Sequence, residues 1–166
     1  LIITKANKVN LDKILLDKLN EVVELPIQEI NKLYGNENIH QGIILNTSKI
    51  IQPSIEKIIN ISNPYKEIIV MLDHVKDPNN IGAIMRSCSL FNCKSLIVAK
   101  DNAPDITPSM TKTASGAIEA VNYIRVTNLS RIIEKFKKNN FWIIGLDNYE
   151  KKFQNEFKIP KKCLLI

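Results

Sequence analysis

IIVMLDHVKDPNNIGAIMRSCSLF, residues Ile68 to Phe91, holds the reading of the whole chain. Ile68 to Leu72 is a continuous apolar run of the length expected for a strand buried on both faces. Asp73 ends it, and Asp77-Pro78-Asn79-Asn80 supplies turn chemistry and a capping side chain for the element that follows. There, Ile81, Ile84, Met85 and Cys88 fall at i, i+3, i+4 and i+7, which predicts a helix with one apolar face. Gly82, Arg86 and Ser89 share another face, and a glycine one turn before the arginine is expected to leave space beside its guanidinium. In open α/β sheets ligands collect in the crevice outside the carboxyl ends of the strands, where this loop should sit.

A strand, an Asp-Pro-Asn turn and a helix with one exposed arginine also occur in α/β domains that do no chemistry. The order of residues is more telling. Asp77-Pro78-Asn79-Asn80-Ile81-Gly82-Ala83-Ile84-Met85-Arg86-Ser87 closely resembles the first signature motif of the SpoU (TrmH-like) RNA 2′-O-methyltransferases. That family belongs to the knotted SPOUT class, which uses S-adenosylmethionine as methyl donor. Further along, Ala114-Ser115-Gly116-Ala117-Ile118-Glu119 resembles the family's small-residue S-x-G-A-x-E segment. For Ser115 and Gly116 the expected role is close packing of a helix on the sheet. Glu119 is open between surface and substrate contact.

Composition bounds the alternatives. With 45% apolar and 24% charged residues over 166 positions, the chain is an ordinary globular protein of one to one and a half domains. No apolar run approaches the roughly 18 residues of a membrane helix, no secretory leader is visible, and no membrane partner is expected. Cys88, Cys93 and Cys163 form no C-x-x-C pair, so buried thiols in a reducing cytoplasm are expected, and no metal. The net charge of +6 is unevenly placed. Residues 1–62 carry seven lysines and seven acidic residues, whereas residues 63–166 carry sixteen Lys and Arg against ten Asp and Glu. A basic second part suits a polyanion such as RNA, although lysine runs such as Lys137-Lys138 serve equally as solvated faces.

Before the central motif, the pattern is β-α-β-α-β: strands at Leu1 to Thr4, Val22 to Leu25 and Gly42 to Leu45, and helices at Leu11 to Asn20 and Pro26 to Leu33, the last ended by Gly35. There is no G-x-G-x-x-G and no phosphate loop of the G-x-x-x-x-G-K kind. His40-Gln41-Gly42 stands just before the third strand. A lone histidine at a strand entrance is in general a structural side chain. By resemblance, an H-Q-G-I string here looks like the ribosomal-protein-like accessory domain of the branch acting on large-subunit ribosomal RNA, which implies that His40 and Gln41 bind substrate. The domain boundary is expected near Ser62, after a connector with a short helix at Ser54 to Ile61. The two domains are then residues 1–62, clipped at the start, and 63–166.

Beyond the motif helix, strands are predicted at 95–99, 121–126, 141–146 and 163–166, with helices at Ser109 to Ala114 and Leu129 to Asn139, the latter capped by Asn128. Trp142 is expected in the core rather than as a base-stacking platform. Gly145 and Leu146 end a buried strand, where a glycine lets a ligand approach the backbone; in the family this strand end lines the donor pocket. The fold class is therefore α/β, a parallel sheet of a SPOUT methyltransferase domain behind a small α/β domain. The family's second and third motifs, which complete the knot, the donor pocket and the homodimer interface, do not follow Ile166, so a fragment with little donor binding is expected. By resemblance Arg86 and Asn80 are catalytic, Gly145 and Leu146 hold S-adenosylmethionine, and His40, Gln41 and Glu119 touch RNA. The activity implied is methylation of a ribose 2′-hydroxyl, of a guanosine in 23S ribosomal RNA. A transfer-RNA methyltransferase, a non-catalytic RNA-binding protein of the same fold and a plain metabolite-binding domain remain alternatives.

Overall fold

The computed structural model describes residues 1–35, 40–60, 67–147 and 158–166. The chain divides into two compact units, Leu1–Lys49 and Ile50–Ile166. Ser62, where the sequence places the boundary, lies outside the described residues.

The first unit has a three-stranded sheet in the order β2-β1-β3, made of β1 (Ile2–Ile3), β2 (Val23–Glu24) and β3 (Ile43–Ile44). β1 pairs parallel to β2 and antiparallel to β3. The helix predicted over Leu11 to Asn20 is one turn, α2 (Lys13–Leu16), capped by the Asp12 carboxylate. Another helix, α1 (Lys5–Val9), precedes it. Its sequence, KANKV, has no apolar stripe and none of its residues is buried, so periodicity could not reveal it. α3 (Ile27–Tyr34) ends at Gly35 with φ 83°, a left-handed backbone that glycine adopts without strain.

The second unit is a three-layer α/β/α domain. Its sheet contains β4 (Glu67–Leu72), β5 (Ser95–Ala99), β6 (Asn122–Val126), β7 (Trp142–Ile144) and β8 (Lys162–Leu165), in the order β6-β5-β4-β8-β7 and parallel throughout. Alternation along each strand divides the core. Ile68, Val70, Leu72, Leu96 and Val98 face α5 (Pro78–Leu90), α6 (Pro108–Ala114) and α7 (Ala117–Ala120). Ile69, Met71, Ile97 and Ile124 face α4 (Ile55–Ile59) and α8 (Leu129–Lys138). Asn128 caps α8, its side chain accepting from the Arg131 N–H at 2.8 Å. Ile132 and Phe136 on that helix are buried, with Leu129 and Ile133 packed beside them, as the apolar stripe requires.

Trp142 departs from expectation. It is 65% exposed, not core. β7 is an edge strand, and while Ile143 turns toward the α8 side, Trp142 faces the other way. The cluster built by α5, α6 and α7 includes no residue of β7 or β8, so nothing there covers the indole among the described residues. All three cysteines are buried and unbridged by disulfides, as expected.

Candidate functional site

Strand order places the crevice. From β4 the chain moves outward to β5 and β6, then crosses to the far edge at β7 and returns to β8 beside β4. The direction reverses between β4 and β8, the topological switch point at which ligands bind such sheets. The loops after β4 and β5 and the carboxyl end of β7 rim that end, and α5 begins on it.

The start of α5 is fixed by its own sequence. Asp77 is the N-cap, its carboxylate accepting from the Asn79 N–H at 3.1 Å, and Pro78 occupies the first turn, where no N–H is needed. Asn79 ties α5 to α6: its Oδ1 accepts from the Ser109 hydroxyl at 2.6 Å and the Thr113 hydroxyl at 3.2 Å. Gly82 makes the same contact closer. A Cβ there would stand 2.7 Å from the Met110 carbonyl oxygen and 3.0 Å from the Thr113 Cβ. Hence Gly82 is buried against the α6 backbone and does not open space beside Arg86, a correction to the sequence expectation. Ile81, Met85 and Cys88 bury the third side of the helix.

What these contacts leave is informative. Asn80 and Arg86 are exposed, and neither has a hydrogen bond or ion pair from its side chain among the described residues. Every other polar residue from Asp77 to Ser87 is used: Ser87 donates back to the Ala83 carbonyl at 3.2 Å. A guanidinium and an amide are thus held by a locked helix with their donors free.

The rim around them is ordered by residues that carry no sequence signal. On the β4 loop, His74 has φ 58°, in the left-handed region, and its Nδ1 lies 2.7 Å from the Asp73 carboxylate, both side chains being exposed. The β5 loop is clamped from β6. Arg125 donates to the Lys100 and Ala103 carbonyls at 2.9 and 3.1 Å, and Tyr123 donates to the Pro104 carbonyl at 2.9 Å. Burial pushes the Tyr123 phenol up to about 12, so it stays a donor.

At β7, a Cβ on Gly145 would meet nothing within 4 Å among the described residues. Leu146 is 59% exposed, and its N–H is bonded to the Ile166 carbonyl at 2.8 Å. Ser115 and Gly116 differ from expectation. Both are exposed, with φ 51° and 86°, and a Cβ on Gly116 would likewise meet nothing within 4 Å. They form the left-handed corner between α6 and α7; close packing falls to Ala114 and Ala117 on either side. Glu119 is exposed on α7.

In the first unit His40 is fully engaged. Its Nδ1 accepts from the Gly42 N–H at 3.0 Å, which puts the proton on Nε2, 2.9 Å from the Asn31 Oδ1. The Gln41 carbonyl accepts from the Asn7 amide at 2.7 Å. The Gln41 side chain is exposed. Among the described residues no group of three or more His, Cys, Asp or Glu could hold a metal ion, and no helix is long and apolar enough to cross a membrane.

Known proteins match both sequence and fold. A 23S rRNA (guanosine-2′-O-)-methyltransferase, RlmB, from Coxiella burnetii is 37% identical over 127 residues, covering 75% of this chain and 50% of that protein. The chain spans about half the length of the curated relatives it matches. Among solved structures, the SpoU methyltransferase AviRb from Streptomyces viridochromogenes superposes with a TM-score of 0.72 at 19% identity, covering 99% of this chain and 62% of that one. The same protein in complex with the cofactor AdoMet gives 0.64 at 17% identity, over 93% of this chain and 60% of its own. The profile of the SpoU rRNA Methylase family matches residues 67–166, so the chain belongs to that family.

Proposed function

We propose that this chain is part of an enzyme that methylates a ribose 2′-hydroxyl of large-subunit ribosomal RNA, a guanosine of 23S rRNA. The observation carrying this reading is the split on α5, where Asp77, Asn79 and Gly82 are consumed by packing while Asn80 and Arg86 stand exposed and unpartnered among the described residues. A ribose hydroxyl is a weak nucleophile, so transfer requires its oxygen to be aligned and the charge developing on it to be stabilised. A guanidinium is always protonated and therefore serves as donor rather than base. Arg86 holds the adjacent phosphate or the developing alkoxide by charge-assisted bonds, and Asn80 orients the ribose. On the same rim His74, held by Asp73, is able to take up the released proton.

Gly145 and Leu146 fit a methyl donor: the glycine leaves room at the strand end and the leucine offers an apolar side chain. S-adenosylmethionine, when bound, supplies an electrophilic methyl group. In the first unit, His40 sets the turn that presents Gln41, and Gln41 rather than the imidazole contacts RNA. The exposed Glu119 lies outside the reaction and contributes to the RNA face. The complete protein acts in the cytoplasm as a homodimer. The test is methyl transfer by the full-length protein to a large-subunit RNA transcript, with the product mapped by mass. Transfer to a guanosine 2′-oxygen supports the reading; RNA binding without transfer overturns it in favour of a binding protein.

A further inference from the structure

α5 ends in a turn that brings two thiols together. The Cys93 N–H reaches back to the Cys88 carbonyl at 2.8 Å and the Asn92 N–H to the Ser89 carbonyl at 3.2 Å, with Asn92 left-handed at φ 58°. These are the paired bonds of a Schellman motif, which sets the third residue from the helix end against the second residue beyond it. The contact is normally apolar; here both residues are cysteines. Cys88 and Cys93 are 4% and 6% exposed, within the core between α5 and β5, where the motif sets their side chains against each other. The Cys93 sulfur also lies 4.0 Å from the Phe91 carbonyl. Leu90 and Phe91 in the same turn are each 79% exposed, so the turn itself lies at the surface.

We propose that Cys88 and Cys93 are a dithiol that hydrogen peroxide oxidises to a reversible intramolecular disulfide. The neighbouring Cys88 thiol draws Cys93 below the usual cysteine range against the opposing effect of burial, while Cys93, with burial, pushes the Cys88 thiol up. Cys93 sits in the turn beyond α5, against the Phe91 carbonyl, and is the more exposed of the two, which makes it the first nucleophile. Its thiolate sulfur attacks one peroxide oxygen, the O–O bond breaks, and the departing oxygen leaves as hydroxide and becomes water. Two electrons pass from sulfur to peroxide, and Cys93 becomes a sulfenic acid. The Cys88 sulfur then attacks the Cys93 sulfur, the S–O bond breaks, and the hydroxyl leaves as a second water with the Cys88 proton. Two thiols and one peroxide give one disulfide and two waters. The bond staples the end of the helix that carries Arg86.

The experiment treats the reduced 166-residue chain with a small excess of hydrogen peroxide, then alkylates it with a maleimide in denaturant. One adduct, on Cys163, is expected in place of three, together with a peptide linking Cys88 to Cys93, and dithiothreitol should restore all three. Circular dichroism before and after confirms that the folded chain was probed. Three adducts after treatment, linkage through Cys163, or sulfonic acid as the main product would overturn the proposal. Cys88→Ser should leave a Cys93 sulfenic acid that dimedone traps, at least tenfold more than dimedone captures on Cys88 in Cys93→Ser. Equal or reversed trapping overturns the order of attack.

Discussion

The His40 turn and the α5 helix both carry motif residues, and the fold treats them in opposite ways. At the turn every polar group named by the motif except one is spent on architecture. His40 uses both ring nitrogens, the Gln41 carbonyl holds Asn7, and a Cβ on Gly42 would stand 2.9 Å from Asn7 and Thr4, at φ 79°. On α5 the spending is divided along the helix, with one set of residues bonded to α6 and another left open. Partnered polar residues hold shape, and unpartnered ones set among them are where a ligand can gain hydrogen bonds without breaking any. On the proposed function, recognition falls to Gln41, Asn80 and Arg86, while His40, Asn79 and Gly82 hold the shape around them.

The largest effect should come from Arg86. In the full-length protein Arg86→Ala should lower methyl transfer by about 10² or more, the scale of losing a transition-state contact, with an unchanged circular dichroism spectrum. Arg86→Lys should recover little, since an ammonium lacks the planar fork. Normal single-turnover rates in a folded Arg86→Ala protein would place this residue with ordinary surface and break the comparison at its open end.

Gly82 tests the supporting end. Gly82→Val would force side-chain atoms against the Met110 carbonyl, 2.7 Å from where the Cβ must stand, and a backbone oxygen inside a helix has little room to yield. A loss of about 1–3 kcal/mol, the usual cost of overpacking, should appear in urea unfolding of the second unit. Gly82→Ala should also destabilise, though less, because alanine recovers up to about 1 kcal/mol of helix propensity. A stabilised Gly82→Ala would show that the α5–α6 contact is looser than it stands here.

These two residues also mark what could be read from the sequence. The apolar runs at 68–72 and 95–99 are strands because burial on both faces demands them, and the 3.6-residue period of α5 and α8 is a one-dimensional signal of a buried stripe. Arg86 and Asn80, proposed for the site, stand out only through the motif order. What lay beyond reach depends on neighbours distant in the chain. The helix spacing puts Gly82 on the face of Arg86, but only the α6 carbonyl shows why a glycine is required. Trp142 looks like core by hydrophobicity, and only its place on an edge strand turns it outward. Arg125 and His74 belong to no motif, yet one clamps the β5 loop and the other marks the β4 loop.

His40 should give a smaller and purely structural effect. His40→Ala removes the acceptor for the Gly42 N–H and the donor to Asn31, for about 1–2 kcal/mol lost from the first unit. Amide exchange at Gly42 should accelerate. Gln41→Ala should leave that exchange unchanged while weakening RNA binding. If His40→Ala instead weakened RNA binding with exchange at Gly42 unaltered, the imidazole would join the contacting residues.

The finest test compares adjacent asparagines, identical in chemistry and different only in what the helix does with them. Asn79 accepts two hydroxyl bonds from α6, so Asn79→Ala leaves Ser109 and Thr113 without that partner. Both hydroxyls can turn to water because the site is exposed, which holds the cost near 1 kcal/mol. Asn80 has no such bond, and Asn80→Ala should change stability by less than about 0.5 kcal/mol, as for surface positions generally. Its effect should appear only in methyl transfer, as a reduction smaller than that of Arg86→Ala, because orienting the ribose is a weaker demand than stabilising its developing charge. Urea midpoints and single-turnover rates on the two variants separate the roles. Equal midpoints with equal rates would mean that the division along α5, for all its geometric clarity, carries no division of labour.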